Sequence, residues 1–242
     1  MDIKPFPLTT ISAKNLGSLA MPDRCNRCAW LKVRLGFKTP WSSFPGIFGS
    51  IDSYSKQVTE VHMRERTVPP TWLQPFGDIR GQLPCPHWSK FSATDPATGI
   101  AVRGTPDERF LMADGTVAIL DYKTSRFARD KVDTLMPMYR VQLAAYRWIT
   151  LELEQRETSV TGLVYYSPPS KGDGTGFSMD SILADGFSMR FTANILPVQT
   201  DLQEVSTLIR YAKNLADTTV PPEGRLGCPD CAQVNQIIEL VG

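Results

Sequence analysis

The sequence predicts an α+β fold in which helices flank a central mixed β-sheet, in an α/β/α-like arrangement. Segment 48–65 places apolar residues at helical spacing, and segment 131–157 is long and largely helical in character. Between them, residues 100–107 and 116–123 have the apolar pattern of strands. The 242-residue chain is 42% hydrophobic, which is enough for one mid-sized core.

Caps, turn residues and shorter apolar runs predict the other elements. Helices are predicted at 9–20, 29–35 and 201–216, the last with Asp201 as its cap. Strands are predicted at 160–166 and 186–196, and irregular segments rich in proline and glycine at 36–46 and 72–90. In the long helix, Pro137 is expected near the start or at a kink.

The composition excludes several classes of protein. The net charge is +1, from 26 basic and 25 acidic residues, which excludes a strongly basic protein that coats DNA without specificity. No apolar run approaches the roughly 20 residues of a membrane helix, and the first residues lack the pattern of a secretory signal. We therefore expect a cytoplasmic protein without a membrane partner. In that compartment, grouped cysteines favour metal binding over disulfides.

Two carboxylates and a lysine lie at the ends of a predicted hairpin. Pro106-Asp107 precedes one arm, and the other arm ends in Asp121-Tyr122-Lys123. In a strand, Asp121 and Lys123 point to the same face, roughly 6.6 Å apart along the backbone. With Asp107 they would suit a hard divalent cation and an activated water, the chemistry of phosphodiester cleavage. The alternative is a charged surface hairpin, but these charges end an apolar strand and need partners there.

The register of this hairpin decides whether Asp107 reaches the other two side chains. A two-residue turn at 114–115 places Asp107 opposite Tyr122, and its side chain then misses the site. A three-residue turn at 113–115, with Gly115 left-handed, places Asp107 opposite Asp121 on one face. A functional site therefore needs the second register or a bulge.

Three motifs in a fixed order resemble a known family. They are Gly104-Thr-Pro-Asp107, Asp121-Tyr-Lys-Thr124 and Gln142-Leu-Ala-Ala-Tyr146. The set is similar to the PD-(D/E)XK nuclease superfamily, and its third motif to the RecB-like branch, which includes the CRISPR-associated exonuclease Cas-four and AddB nuclease domains. The resemblance implies a restriction-endonuclease-like core and catalytic roles for Asp107, Asp121, Lys123, Gln142 and Tyr146. Gln142 and Tyr146 share one helical face, and a partly buried polar pair is the alternative reading.

The same resemblance implies a Mg²⁺ or Mn²⁺ site held by Asp107, Asp121 and the carbonyl of Tyr122. RecB-like nucleases usually add a histidine from an early helix, and here Asp52 aligns with that position. His62 is the alternative, about three helical turns later. An aspartate in place of the histidine departs from the family and suits oxygen-preferring ions.

Two Cys-x-x-Cys pairs stand near opposite ends of the chain. Cys25, Cys28, Cys228 and Cys231 together could bind a tetrahedral Zn²⁺ or an iron–sulfur cluster and so tie the two ends together. The family resemblance implies a 4Fe-4S cluster, although relatives use one early and three late cysteines. Zinc stays open on that account. Cys85, in Pro84-Cys-Pro-His87, is expected to be a spare thiol rather than a ligand.

The expected partner is DNA, single-stranded or with free ends. The basic candidates for phosphate contacts are Arg103, Arg109, Lys123, Arg126, Arg129, Lys131 and Arg140. The aromatic candidates for base stacking are Trp72, Trp88, Tyr139 and Trp148. Core packing or solvation is the alternative for each of them. The glycine-rich segment 171–176 is a candidate flap over the substrate.

These observations predict one nuclease domain over 1–242. It would comprise a helical segment at 1–70, the catalytic core at 98–200, and a C-terminal helix with the second cysteine pair at 201–242. The leading hypothesis is a Mg²⁺- or Mn²⁺-dependent deoxyribonuclease, an exonuclease preferring single strands, with protein partners in repair or CRISPR adaptation. The alternative is a non-catalytic nucleic-acid-binding or assembly subunit with a zinc site. A zinc-stabilised interaction protein with an incidental Asp-x-Lys is a third hypothesis.

Overall fold

The structure is a computed structural model that describes residues 6–38, 45–125, 127, 129–169 and 179–241. Its helices are α1 (Ala13–Ser18), α2 (Asn26–Arg34), α3 (Gly46–Arg66), α4 (Arg129–Glu154), α5 (Leu202–Asp217) and α6 (Pro229–Val241). Its strands are β1 (Thr10–Ser12), β2 (Ile79–Leu83), β3 (Ser92–Thr94), β4 (Ala101–Arg103), β5 (Glu108–Met112), β6 (Val117–Lys123), β7 (Thr158–Ser167), β8 (Ile182–Leu183), β9 (Gly186–Phe187) and β10 (Thr192–Pro197). Helices and strands thus mix along the chain as predicted.

The main sheet has five strands in the order β10-β7-β6-β5-β2. Strand β6 pairs in parallel with β7, while the other three pairings are antiparallel. The central sheet is therefore mixed, as the sequence predicted. A separate sheet of three short strands, β1-β4-β3, joins the N-terminal segment to residues 92–103.

Helices cover both faces of the main sheet. Strand β6 alternates between two cores: Val117 and Ile119 pack with α4 and α5, while Ala118 and Leu120 face the other way. On that second face, Thr59 of α3 shares a hydrogen bond of 2.9 Å with the Tyr122 hydroxyl. The end of β6 is thus held between two helical layers, which positions Asp121 and Lys123.

Three predicted segments differ from the structure. The segment 9–20, predicted as a helix, begins with strand β1 and is helical only in α1. The stretch 72–90 is not irregular throughout, because Thr71–Phe76 forms a 3₁₀ helix and β2 follows it. Strand β2 contains a glycine and two polar residues and lies at the sheet edge, so it lacks a strong strand pattern. The predicted strand at 186–196 is two pieces, β9 and β10, with only β10 in the main sheet.

The C-terminal helices close the fold. Asp201 caps α5 as predicted, since its carboxylate accepts a hydrogen bond of 2.8 Å from the Gln203 amide. The second cysteine pair lies at the start of α6, a second C-terminal helix of 13 residues that the sequence did not predict. Pro137 lies inside α4, eight residues after its first residue. Among the described helices, none combines the length and apolar character of a membrane span.

Candidate active site

The hairpin between β5 and β6 has the register that brings the two carboxylates together. Glu108 pairs with Leu120, and one residue further along the same register Asp107 lies opposite Asp121. The turn has three residues and ends in Gly115, whose φ is 84°. The left-handed glycine therefore sets the geometry on which the site depends.

Asp107 is held by two partners at the mouth of the hairpin. Its Oδ2 accepts a hydrogen bond of 2.6 Å from the backbone amide of Tyr122. Its Oδ1 lies 2.7 Å from the Lys56 ammonium. Burial, and then the negative charge of Asp121, raise the pKa of the Asp107 carboxyl to about 6. A bound cation would lower this pKa, because its positive charge stabilises the ionised carboxylate.

Asp121, Lys123, Gln142 and Tyr146 form one connected polar group. The Asp121 Oδ1 accepts a hydrogen bond of 3.0 Å from Gln142 Nε2, and its Oδ2 contacts the Lys123 ammonium. Gln142 also accepts a bond of 3.4 Å from Lys123 and donates one of 3.0 Å to the Tyr146 hydroxyl. Gln142 and Tyr146 therefore share a helical face, as their spacing predicted, and that face is directed at the carboxylate.

The donor chemistry of this group fits a divalent cation. The Oδ2 atom of Asp121 is buried, and the Lys123 ammonium is its ion-pair partner. Its neighbour across the hairpin, Asp107, is a second carboxylate only 15% exposed. Carboxylate oxygens are the ligands that Mg²⁺ and Mn²⁺ prefer. The backbone amide of Tyr122 contacts Asp107, while the Tyr122 side chain points into the opposite core.

The predicted third ligand, Asp52, lies on α3 and does not contact the hairpin carboxylates directly. Its Oδ2 is 2.8 Å from the Lys56 ammonium, which also holds Asp107. Among the described residues, the three carboxylates do not form a ligand set, because this lysine stands between two of them. His62, the alternative ligand, packs its ring 6.3 Å from that of Trp72.

The sequence interpretation missed two residues beside the carboxylates. Lys56 lies four residues after Asp52 on α3, a spacing that places both on one face and could have indicated it. Glu108 is buried behind the hairpin and accepts a hydrogen bond of 2.8 Å from Gln82. Burial raises the pKa of Glu108 to about 7. The partner of Glu108 comes from β2, the strand that the sequence did not predict.

The four cysteines form a second site, where the two ends of the described fold meet. Cys231 Sγ lies 3.4 Å from both Cys25 Sγ and Cys28 Sγ, and Cys28 Sγ lies 3.7 Å from Cys228 Sγ. All four sulfurs lie within 4.8 Å of one another, and all four residues are buried. Such a set can bind a metal through thiolates.

Cys85 lies outside this cluster, as predicted. Its Sγ is 3.7 Å from the carbonyl oxygen of Asp107, and the residue is partly buried.

The predicted DNA contacts divide into exposed and structural residues. Arg103 is exposed and lies 4.6 Å from the centre of the Trp88 ring, which is itself 47% exposed. Arg109 is instead buried, with bonds to Glu154 and to a backbone carbonyl, so its role as a phosphate contact is wrong. Tyr139 is buried beneath Lys123. Arg126, the side chains of Arg129 and Lys131, and segment 171–176 lie outside the described residues.

A groove of about 720 Å³ runs along the other flank of α3. Its lining includes Tyr54 of α3, together with Trp72 and Arg190. Successive helical residues are 100° apart, so Tyr54 lies on the side of α3 opposite Asp52 and Lys56. None of the carboxylates Asp52, Asp107 and Asp121 lines the groove.

Gly104 leaves room for Tyr146, and this contact yields a first prediction. A Cβ at this position would lie 2.5 Å from Tyr146 Cε1, so Gly104→Ala must displace the ring that Gln142 contacts. We expect a loss of about 1–3 kcal/mol in the free energy of unfolding, measured by urea denaturation. Gly49→Ala on α3 meets no atom within 4 Å and serves as the control, with equal or greater stability. An unchanged Gly104→Ala variant would contradict the close contact.

The chain is similar to known proteins in sequence and in structure. The sequence profile of the PD-(D/E)XK nuclease superfamily matches residues 50–235. Among solved structures, the chain is similar to SSO0001, at 16% identity and a TM-score of 0.37, covering 86% of this chain and 76% of that one. It is also similar to an alkaline exonuclease, LHK-Exo, from Laribacter hongkongensis, at 13% identity and a TM-score of 0.38, covering 97% and 96%. The comparison with curated proteins finds no match.

Proposed function

The chain belongs to the PD-(D/E)XK nuclease superfamily, and on this premise we propose that it is a Mg²⁺- or Mn²⁺-dependent deoxyribonuclease. The observation that carries the proposal is the pairing of Asp107 with Asp121 across the hairpin, beside Lys123. The non-catalytic alternative would be favoured if Asp107 pointed away from Asp121. The observed register does not favour it.

In the proposed reaction, Asp107 and Asp121 would hold one or two divalent ions, with the Tyr122 carbonyl as a further ligand, while Asp52 stays paired with Lys56. A bound ion lowers the pKa of a water molecule and neutralises phosphate oxygens. The water oxygen attacks phosphorus, the bond to the leaving oxygen breaks, and the products are a phosphate monoester and a free hydroxyl.

Lys123 and Gln142 position the groups that take part in this reaction. Asp121 and Gln142 both contact the Lys123 ammonium, so it stays on the face that carries the carboxylates. From there it orients the attacking water and offsets the charge that develops on the phosphoryl oxygens, while the proton of the water passes in balance to the leaving oxygen. Gln142, fixed by Tyr146, keeps Asp121 in place through its own hydrogen bond.

We infer an exonuclease that acts on single-stranded DNA or free ends. Trp88 and Arg103 support this inference, because they offer an exposed aromatic face and a guanidinium on the segment leading to Asp107. The Thr105 hydroxyl donates to the Pro86 carbonyl at 3.1 Å, which holds this loop against the strand end. Stacking on such a ring needs unpaired bases.

Trp88→Ala is expected to weaken binding to single-stranded DNA by about tenfold, since one stacked base contributes 1–3 kcal/mol. Binding to blunt duplex DNA should change much less. Fluorescence anisotropy with matched oligonucleotides measures both. The groove residue Trp72 allows a control, Trp72→Phe, which keeps an aromatic ring there. Equal losses for both DNA forms with Trp88→Ala would contradict the stacking role.

We propose further that the four cysteines hold a structural metal centre. Zinc–sulfur bonds of about 2.3 Å in a tetrahedron place sulfurs roughly 3.8 Å apart. Three of the sulfur pairs here are 3.4–3.7 Å apart, and every pair is within 4.8 Å. This spacing favours a single ion such as Zn²⁺. The family resemblance favours a 4Fe-4S cluster, in which each sulfur binds a separate iron and the sulfurs must move apart. A brown protein absorbing near 400 nm would identify the cluster, and a colourless one with stoichiometric zinc the single ion.

The activity is tested with the purified chain and end-labelled DNA. Single-stranded and double-stranded oligonucleotides are incubated with Mg²⁺, Mn²⁺ or a chelator, and the products are resolved by length. The proposal expects cleavage with either ion, none with the chelator, and short products that accumulate from the ends of single strands. A metal-loaded protein that leaves all substrates intact contradicts it. The cytoplasmic location and the partners in repair or CRISPR adaptation stay predictions.

A further inference from the structure

Lys56 makes a contact that its own helix does not explain. Its ammonium lies 2.8 Å from Asp52, one turn earlier on α3, and 2.7 Å from Asp107 at the start of β5. The first pair is an ordinary contact between helical neighbours. The second joins α3 to a carboxylate that faces Asp121 across the hairpin.

A surface pair elsewhere in the chain shows the difference. Lys213 and Asp217 are also one turn apart on a helix, with 2.6 Å between them, and the Lys213 side chain is 37% exposed, as is that of Lys56. Asp217 is 52% exposed, and the structure records no further charged partner for the pair among the described residues. Lys56 instead reaches a carboxylate that is 15% exposed and that uses its other oxygen for a backbone amide.

The charges around Lys56 mean that its ammonium affects how tightly a cation binds at this site. Asp52, Asp107 and Asp121 carry three negative charges, and Lys56 and Lys123 carry two positive charges. The group therefore has a net charge of −1, and removing the Lys56 ammonium would make it −2. Charges a few ångströms apart interact strongly at the effective dielectric of such sites. Lys56 and a divalent ion thus compete for Asp107.

We propose that Lys56 is a phosphate-binding residue of the nuclease site, whose ammonium holds Asp107 until a divalent ion takes its place. This inference rests on the proposed function. An ion on Asp107 draws the scissile phosphate to the same carboxylate, and the displaced ammonium then has a phosphate oxygen within reach. Its three N–H donors and flexible stem allow the move while Asp52 keeps its contact.

The proposal predicts two opposite effects of Lys56→Met. Mn²⁺ should bind the DNA-free protein about tenfold more tightly, measured by isothermal titration calorimetry, because a competing cation is gone. At saturating Mn²⁺, KM for DNA should rise about tenfold. The slope of log KM against log salt should fall by about one, as expected for the loss of one phosphate contact. A residue with only a structural role would change neither the ion affinity nor the salt slope.

The controls separate this inference from the proposed function. Lys213→Met should behave as the wild type in every measurement. Lys56→Gln provides the same test with a polar side chain if the methionine variant does not fold. Unchanged Mn²⁺ affinity and salt slope in a folded, neutral Lys56 variant would overturn the inference while wild-type cleavage persists. If the wild type neither binds Mn²⁺ nor cleaves DNA, the proposed function fails and the inference fails with it.

Discussion

Asp121→Asn is expected to lower the rate of DNA cleavage by about three orders of magnitude. A catalytic ion contributes several kcal/mol to the transition state, and each 1.36 kcal/mol is a factor of ten in rate. The asparagine keeps the side chain's size and can still accept the hydrogen bond that Gln142 donates at 3.0 Å. The substitution removes the charge that would hold the ion and that also pairs with Lys123. Cleavage of end-labelled DNA with Mg²⁺ measures the effect.

A matched variant shows whether this loss is specific. Asp217→Asn removes a carboxylate that also contacts a lysine, but on the exposed surface of α5. It should cleave at the wild-type rate. Circular dichroism and urea unfolding of both variants establish that each is folded. Wild-type cleavage by folded Asp121→Asn would remove Asp121 from the proposed mechanism.

Cys231→Ser is expected to have the largest effect on stability. Cys231 contacts two cysteines that lie more than 200 positions earlier, with a separation of 206 residues to Cys25 and 203 to Cys28. In the chain-entropy account, a link closing so long a loop contributes about 5 kcal/mol. A typical domain has a total free energy of unfolding of only 5–15 kcal/mol. Urea denaturation and metal analysis of the variant test this.

The control for the cysteine variant is Cys85→Ser, which removes a thiol outside the cluster. It should keep its metal content and change the free energy of unfolding by less than about 1 kcal/mol. Removing the metal from the wild type with a chelator should reproduce the loss seen in Cys231→Ser. A chelated protein as stable as the loaded one would contradict a structural role for the centre.

Local patterns were sufficient to predict much of the fold. The alternation in β6 indicated that Val117 and Ile119 face one core and Leu120 the other, which is the observed arrangement. The left-handed preference of glycine made the three-residue turn at Gly115 a defined alternative, and the structure has that turn. Such features depend on a few neighbouring residues, so a single sequence contains them.

The sequence did not predict features that depend on contacts between elements far apart in the chain. Strand β2 has a weak pattern of its own, and its pairing with β5 supplies the hydrogen bonds that its residues alone do not specify. Lys56 likewise looks like an exposed lysine until α3 is placed against the hairpin. The buried pairing of Arg109 with Glu154 reverses the expectation for a basic residue near the site. Each case requires knowledge of which elements meet.

The cysteine cluster also has a consequence for how the chain is made. The ribosome adds roughly 5–20 residues per second, so Cys228, which lies 200 positions after Cys28, is added about 10–40 seconds later. During that interval the first pair is translated but has no counterpart. Two thiols at the start of α2 stay open to oxidants and to incorrect metals. The proposed centre can assemble only after translation has passed Cys231, so delivery of its metal would be a late step in the life of each molecule.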